Sequence, residues 1–404
     1  MKEADFSNDN RWLLPEGVDE MLPPRAAALE QLRRRILDTY RSWGYELIVP
    51  PFIEFLDSLL IGGAPDLDLQ TFRLTDQLSG RMMGVRADMT PQAARIDAHQ
   101  LRRDSVARLC YLGTVLHTRP EGPGHSRSPV QVGAEVYGHG GIESDVEIIT
   151  LMLETLRLAG VPPAHLDLGH VGIYRALARE AALDADTENR LFDALQRKAS
   201  GEIRQLLEGL AGGEQRDRLA ALVELNGGVE ILDQAGERLR GAGQGVRSAL
   251  QDLWGLAATL ERREPGVTLH FDLAELSGYR FHNGVVFAAF LPGHGKAVAR
   301  GGRYDGIGGA FGRARPATGF SADLKVLLSM VTNPALDASE TDGILAPWSD
   351  APELLSTVRR LREDGERVVT ALPGHQDTPS ALGCGRRLVE LDGRWQVAAL
   401  DTEE

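Results

Sequence analysis

RLCYLGTVLHTRPEGPGHSRSPVQVGAEVYG (108–138) is the stretch that decides the fold. Both ends are rich in β-branched, aromatic and small residues, whereas the middle, RPEGPGHSR, is dense in glycine, proline and polar residues. Strand formers on either side of such a loop predict two antiparallel strands, near 106–118 and 128–138.

Upstream, Pro23 and Pro24 precede a helical stripe of Leu29, Leu32, Ile36, Tyr40 and Trp43, with Gly44 as its stop. YELIVPPFIEF (45–55) reads as extended chain, short strands are expected at 70–75 and 82–86, and a helix opens at Pro91. Downstream, a helix starts at Ser144, where Glu147 three residues on makes a capping box, and its apolar face runs through Ile148, Leu151, Leu156 and Ala159.

Residues 172–263 turn to Ala, Leu, Glu and Arg with few strand formers, broken at Gly212-Gly213 and Gly227-Gly228; they read as a helical insertion. Strand character returns at 267–273, 284–291 and 296–299, followed by GGRYDG (301–306) and a helix from about Ser321 to Met330. Residues 331–341 (VTNPALDASET) read as a linker, and 342–404 as a small α/β tail with a helix from Pro352 to Glu363. The organisation expected is a core over 1–330 that contains the insertion, the linker, and the tail.

The chain has 404 residues, 43% hydrophobic and 25% charged, which suits two or three domains with sizeable cores. A net charge of −14 argues against nucleic acid as a partner, because phosphate binding needs clustered Lys and Arg. Two cysteines, Cys110 and Cys384, stand far apart in no metal-ligand spacing, so neither a disulfide framework nor a structural metal is expected, and a reducing cytoplasm fits. The polar stretch Met1 to Asn10 lacks the apolar segment of a signal peptide, and no apolar run reaches membrane-spanning length.

Five segments, in order, resemble class II histidyl-tRNA synthetase. GYELIVPPFIE (44–54) is similar to motif 1, the family's dimer-forming helix and strand, with Pro51 at the motif proline. VRADMTPQAAR (85–95) looks like its R-P-E-x-T loop, and 108–138 is similar to motif 2 without a gap. LSGYRFHNGVVF (276–287) stands where the family carries its second histidine signature, and GGRYDG through ATGFSADLKVLL (301–328) is similar to motif 3. The likeness covers roughly residues 12–330 and implies an α+β fold: a class II synthetase-like antiparallel sheet flanked by helices.

The departures are chemical. Amino-acid activation needs fixed cations around the α-phosphate, which arginine supplies because it is always charged and forks onto phosphate oxygens. The motif 2 arginine position holds His117, the second-signature arginine position holds Ser277, and the motif 3 arginine position holds Val326. Losing one such cation typically costs a few kcal/mol of transition-state stabilisation, so losing three should abolish adenylation.

The amino-acid end is better kept. By resemblance, Asp88 takes the place of the carboxylate that holds the substrate ammonium, Thr90 matches the threonine of that loop, Gln131 and Glu135 match the histidine pocket, and Tyr304 closes it. Phe281 and His282 replace two tyrosines of its wall. Read without the resemblance, Thr90 is an N-cap of the Pro91 helix, His117 is surface, and Arg127 is a loop cation.

A synthetase-like chain without these arginines is similar to the regulatory subunits of ATP phosphoribosyltransferase. That likeness implies a non-catalytic protein in the first step of histidine biosynthesis. It would form a homodimer within a hetero-oligomer, be required by a short catalytic subunit, sense histidine for feedback inhibition, and need no cofactor. The alternatives are a working histidyl-tRNA synthetase and a histidyl-tRNA-sensing module.

Overall fold

The computed structural model describes residues 12–60, 65–120, 122, 125–161, 165–209, 212–275, 278, 281–330, 343–374 and 378–400. The chain divides into two compact units, Met1–Glu20 with Leu29–Val331, and Met21–Ala28 with Thr332–Glu404. The proposed linker and Ser277 lie outside the described residues.

Helix α1 (Arg25–Ser42) leads to short strands β1 (Glu46–Leu47) and β2 (Ile53–Phe55), helices α2 (Leu56–Leu60) and α3 (Pro65–Gln70), strands β3 (Arg73–Thr75) and β4 (Met82–Val85), and helix α4 (Thr90–Arg95). The hairpin β5 (Ala107–Thr114) and β6 (Val130–Tyr137), helix α5 (Ile142–Leu158) and strand β7 (His165–His170) follow. Then come helices α6 (Val171–Glu180), α7 (Ala185–Gln196), α8 (Ser200–Leu207) and α9 (Gly213–Ala221), a two-residue strand β8 (Asn226–Gly227), and helices α10 (Glu230–Arg238) and α11 (Gln244–Arg263). Strands β9 (Thr268–Asp272), β10 (Val285–Phe290), β11 (Ala299–Arg303) and β12 (Ala317–Asp323) and helix α12 (Leu324–Ser329) complete the larger unit.

Among the described residues these strands build a nine-stranded sheet in the order β1-β5-β6-β12-β11-β10-β7-β9-β8, beside a three-stranded sheet β2-β4-β3. The large sheet is antiparallel except at β1/β5 and β7/β9. Its core face packs on helices. The stripe Leu32, Ile36 and Tyr40 of α1 is fully buried there, and the Tyr40 hydroxyl meets Thr155 Oγ1 of α5 at 2.9 Å. Gly44, with φ of +85°, then turns the chain away, a conformation that costs glycine little.

Three local expectations are corrected. The capping box at Ser144 does not form: α5 starts two residues earlier, with Gly141 at its N-cap, and the Ser144 hydroxyl donates to the Gly141 and His139 carbonyls. Glu147 instead accepts hydrogen bonds from Arg108 and Tyr45, because a nearby guanidinium outcompetes a backbone amide for a carboxylate. The strand expected at 296–299 runs over Ala299–Arg303, so GGR of GGRYDG is strand: its glycines pack closely between neighbouring strands. The helix expected from Ser321 begins at Leu324, since Ser321 to Asp323 stay paired with β6 and the Asp323 side chain caps the Lys325 amide.

The smaller unit carries strands β13 (Gly343–Ala346), β14 (Val368–Thr370), β15 (Cys384–Leu391) and β16 (Arg394–Ala399) in the order β14-β13-β15-β16, with helix α13 (Pro352–Glu363). Leu354, Val358 and Leu361, one stripe of α13, bury against Ile344, Val368 and Leu388. No described helix is long and apolar enough to cross a membrane.

Arg303 ties sheet to helix in the larger unit. It reaches Asp145 of α5 at 2.7 Å and also donates to the His139 and Gly141 carbonyls and Ser144 Oγ. Asp145 is only 1% exposed, so removing its partner strands a buried charge. Arg303→Met is expected to cost about 3–5 kcal/mol in urea unfolding; a loss below about 1 kcal/mol would mean the pair does not brace the fold.

Candidate functional site

Alternation along β6 separates two jobs. Val132, Ala134 and Val136 enter the main core, so Gln131, Gly133, Glu135 and Tyr137 face the other side of the sheet. Register sets Tyr111 of β5 opposite Gly133, and Gly319 of β12 opposite Glu135. Both glycines are needed for space. A Cβ at Gly133 would fall 2.5 Å from the Tyr111 ring, and one at Gly319 would overlap the Glu135 carboxyl.

Glu135, 1% exposed, is the centre of the site. The Tyr111 hydroxyl donates to its Oε1 at 2.9 Å, and the Tyr304 hydroxyl donates to its Oε2. Thr90 Oγ1 lies 2.9 Å from the Tyr111 oxygen, and because Tyr111 spends its proton on Glu135, Thr90 donates to it. Asp88 Oδ1 accepts from Gln131 Nε2 at 2.7 Å and from the Thr90 amide at 3.0 Å, while Gln131 Oε1 accepts the Met89 amide at 2.9 Å. Asp88, Thr90, Gln131, Glu135 and Tyr304 thus belong to one cluster, joined by Tyr111 and by Tyr137, whose ring meets Tyr304 edge-on at 6.5 Å. Thr90 does not cap α4: Met89 holds the N-cap position and no side chain closes it.

Burial pushes the Glu135 carboxyl up to about 8, against the two tyrosine hydrogen bonds that favour its charge; the nearby Asp88 charge adds to the rise. Burial and the Glu135 charge raise Tyr111 and Tyr304 well above their ordinary value. On the adjoining wall Phe281 stacks on Tyr304 at 4.9 Å, and the His282 ring packs edge-on against Phe281 at 5.2 Å. Part of residue 282 stays accessible, yet desolvation of its ring lowers it to about 4 despite the Arg303 carbonyl beside Nδ1, so this imidazole is neutral at pH 7.

The positions that resemble the motif arginines differ. His117 is 7% exposed and not surface: Nε2 sits 2.9 Å from the Ala87 carbonyl, and Nδ1 is buried without a hydrogen-bond partner. Val326 lies half-buried on α12. Neighbouring cations are engaged elsewhere. Arg127 donates to the His117 carbonyl at 3.0 Å and the Glu16 carbonyl at 2.9 Å, and Lys325 Nζ pairs with Asp19 at 3.1 Å. No metal-binding cluster of three or more His, Cys, Asp or Glu occurs among the described residues.

Sequence reasoning missed Tyr111 and Tyr137. Their signal was strand alternation: Tyr111 pairs with Gly133 across the hairpin, and Tyr137 is two residues from Glu135 on the same strand.

The nine-stranded sheet, the motif segments on and beside it and the acidic cluster define a class II histidyl-tRNA synthetase-like protein. The histidyl-tRNA synthetase family profile matches residues 17–327, and the profile of the ATP phosphoribosyltransferase subunit HisZ C-terminal domain matches 341–398. The ATP phosphoribosyltransferase regulatory subunit of Alkalilimnicola ehrlichii is 61% identical, covering 97% of this chain and 98% of its own. That of Thioalkalivibrio sulfidiphilus is 58% identical, covering 98% and 100%. A solved ATP phosphoribosyltransferase regulatory subunit/histidyl-tRNA synthetase from Bacillus halodurans superposes with a TM-score of 0.80 at 27% identity over 92% of this chain and 95% of its own. The histidyl-tRNA synthetase of a Nostoc species shares the fold, with a TM-score of 0.77 at 18% identity over 96% and 97% of the two chains. The chain belongs to the family of ATP phosphoribosyltransferase regulatory subunits.

The raised Glu135 carboxyl makes stability depend on pH. The folded chain keeps a proton up to about pH 8 that the unfolded chain, at the ordinary value of 4.5, releases earlier. The unfolded state therefore binds fewer protons between these limits, and stability falls as pH rises through that window, by up to about 1.4 kcal/mol per unit. Denaturant unfolding at pH 5 and pH 8 should show the wild type losing ground to Glu135→Gln, which cannot ionise. Parallel curves for the two proteins would contradict the burial argument.

Proposed function

We propose that this chain is a non-catalytic histidine sensor. It binds histidine among Asp88, Thr90, Gln131, Glu135 and Tyr304, associates with a short ATP phosphoribosyltransferase catalytic subunit that needs it for activity, and relays histidine occupancy as feedback inhibition. The observation that carries this reading is the contrast within one cleft. The acidic amino-acid end is ordered by hydrogen bonds, while two positions that would stabilise phosphate hold His117 and Val326. A carboxyl flanked by two hydroxyls is a suitable acceptor for an imidazole N–H, and Asp88 for an ammonium.

Histidine can control a distant site only if it binds two states of the assembly with different affinity. A self-association surface is supported by the motif 1 segment, where Leu47, Val49, Phe52 and Ile53 are large apolar residues left exposed. The net charge of −14 favours protein over tRNA as the partner. Two buried thiols, Cys110 and Cys384, support a reducing cytoplasm as the compartment.

Co-expression with a short-form catalytic subunit and assay with and without histidine tests the reading. Stimulation by this chain is expected, together with inhibition by histidine. Glu135→Ala should raise the histidine concentration for half-inhibition about tenfold or more, the cost of a lost buried hydrogen bond to the ligand, while stimulation persists. Unchanged inhibition in that variant would move the sensor elsewhere. The purified chain alone should also show no histidine-dependent ATP–pyrophosphate exchange; exchange above background would make it a synthetase.

A further inference from the structure

A pocket with Asp88 for an ammonium and Glu135 for an imidazole leaves the third group of a free amino acid, its carboxylate, without a counter-charge. None of His117, Ser277 and Val326 brings a permanent one. Two arginines outside the synthetase-like motif positions stand on elements that border the cluster, β11 and α6.

Arg300 precedes GGRYDG on β11. Register pairs it with Ser321 of β12, which in turn faces Gly133 of β6, the glycine between Gln131 and Glu135. Alternation then puts Arg300 on the same sheet face as Gly302, whose Cβ position lies 2.9 Å from the His282 ring. The intervening positions on that face, Ser321, Gly319 and Gly133, are small, so a long side chain at 300 can extend across them toward Gln131. Arg175 comes from a second element. The first turn of α6 is joined to the segment after His282: the Val171 amide donates to the Gly284 carbonyl at 3.0 Å. Long helical side chains lean toward the helix N-terminus, which directs Arg175 toward that segment. The charges of Arg175, Arg300 and Asp88 all reach the His282 ring beside the cluster.

We propose that Arg300, assisted by Arg175, receives the carboxylate of the bound amino acid. This rests on the histidine-sensing reading and deepens it: the site would tell a free amino acid from its decarboxylated or amidated relatives. Guanidinium suits the task because its planar fork matches a carboxylate.

The test is titration calorimetry on the full chain with L-histidine and with histamine, which keeps the imidazole and ammonium but lacks the carboxylate. The wild type should prefer histidine by about tenfold or more. Arg300→Gln should weaken histidine by a similar factor and leave histamine within about twofold, with Arg175→Gln showing the same pattern; Arg300→Lys should recover part of the loss. Thermal unfolding of each variant establishes that it folds, as an exposed sheet position should permit. Wild-type affinity for histidine in both glutamine variants would overturn the assignment, as would equal losses for histidine and histamine. If the wild type binds neither ligand, or if Glu135→Ala binds both as the wild type does, the pocket reading itself fails and takes this one with it.

Discussion

A carboxyl group buried in the middle of a sheet must be given donors or keep its proton. Glu135 has both pressures on it: complete burial raises it, and two phenol hydroxyls from separate segments hold it. Meeting that demand organises the rest of the site. Tyr111 can arrive only across Gly133, Tyr304 only from the turn after GGR, and the Glu135 side chain can settle only where Gly319 leaves room. Thr90 and Asp88 are then drawn in as further links of the same hydrogen-bond chain. Such networks specify one arrangement, because each unsatisfied member would be costly.

The same segment that carries Tyr304 also carries Arg303, pointing the opposite way. Strand alternation sends Arg303 through the sheet to the first turn of α5, where it meets Asp145 and two backbone carbonyls. One face of a short strand therefore braces the helical layer while the neighbouring residue closes the pocket.

The cations near His117 and Val326 are held by other partners. Lys325 and Arg127 are committed to the N-terminal segment through Asp19, Glu16 and Gly17. Two positions that resemble phosphate-binding arginines consequently hold a buried imidazole and an aliphatic side chain, whereas the cluster around Glu135 keeps its acceptors. On the proposed reading, that asymmetry is what would separate a binding protein from an enzyme on one shared fold.

By itself the sequence determined the elements whose cause is local. The α1 stripe from Leu32 to Tyr40, the β5–β6 hairpin around RPEGPGHSR and the helix Pro352–Glu363 follow from periodicity, proline and glycine. Resemblance singled out Asp88, Thr90, Gln131, Glu135 and Tyr304, and the structure brings these five into one hydrogen-bonded cluster. The tertiary structure alone decided what depends on partners distant in the chain. Tyr111 became a ligand-side group only because Gly133 lies across from it, Glu147 left its capping role because Arg108 reached it first, and Ser321 to Asp323, expected to open a helix, ended strand β12 instead because β6 pairs with them. Charge, hydrogen bonding and space between strands are properties of pairs, and a linear pattern records only one member of each pair at a time.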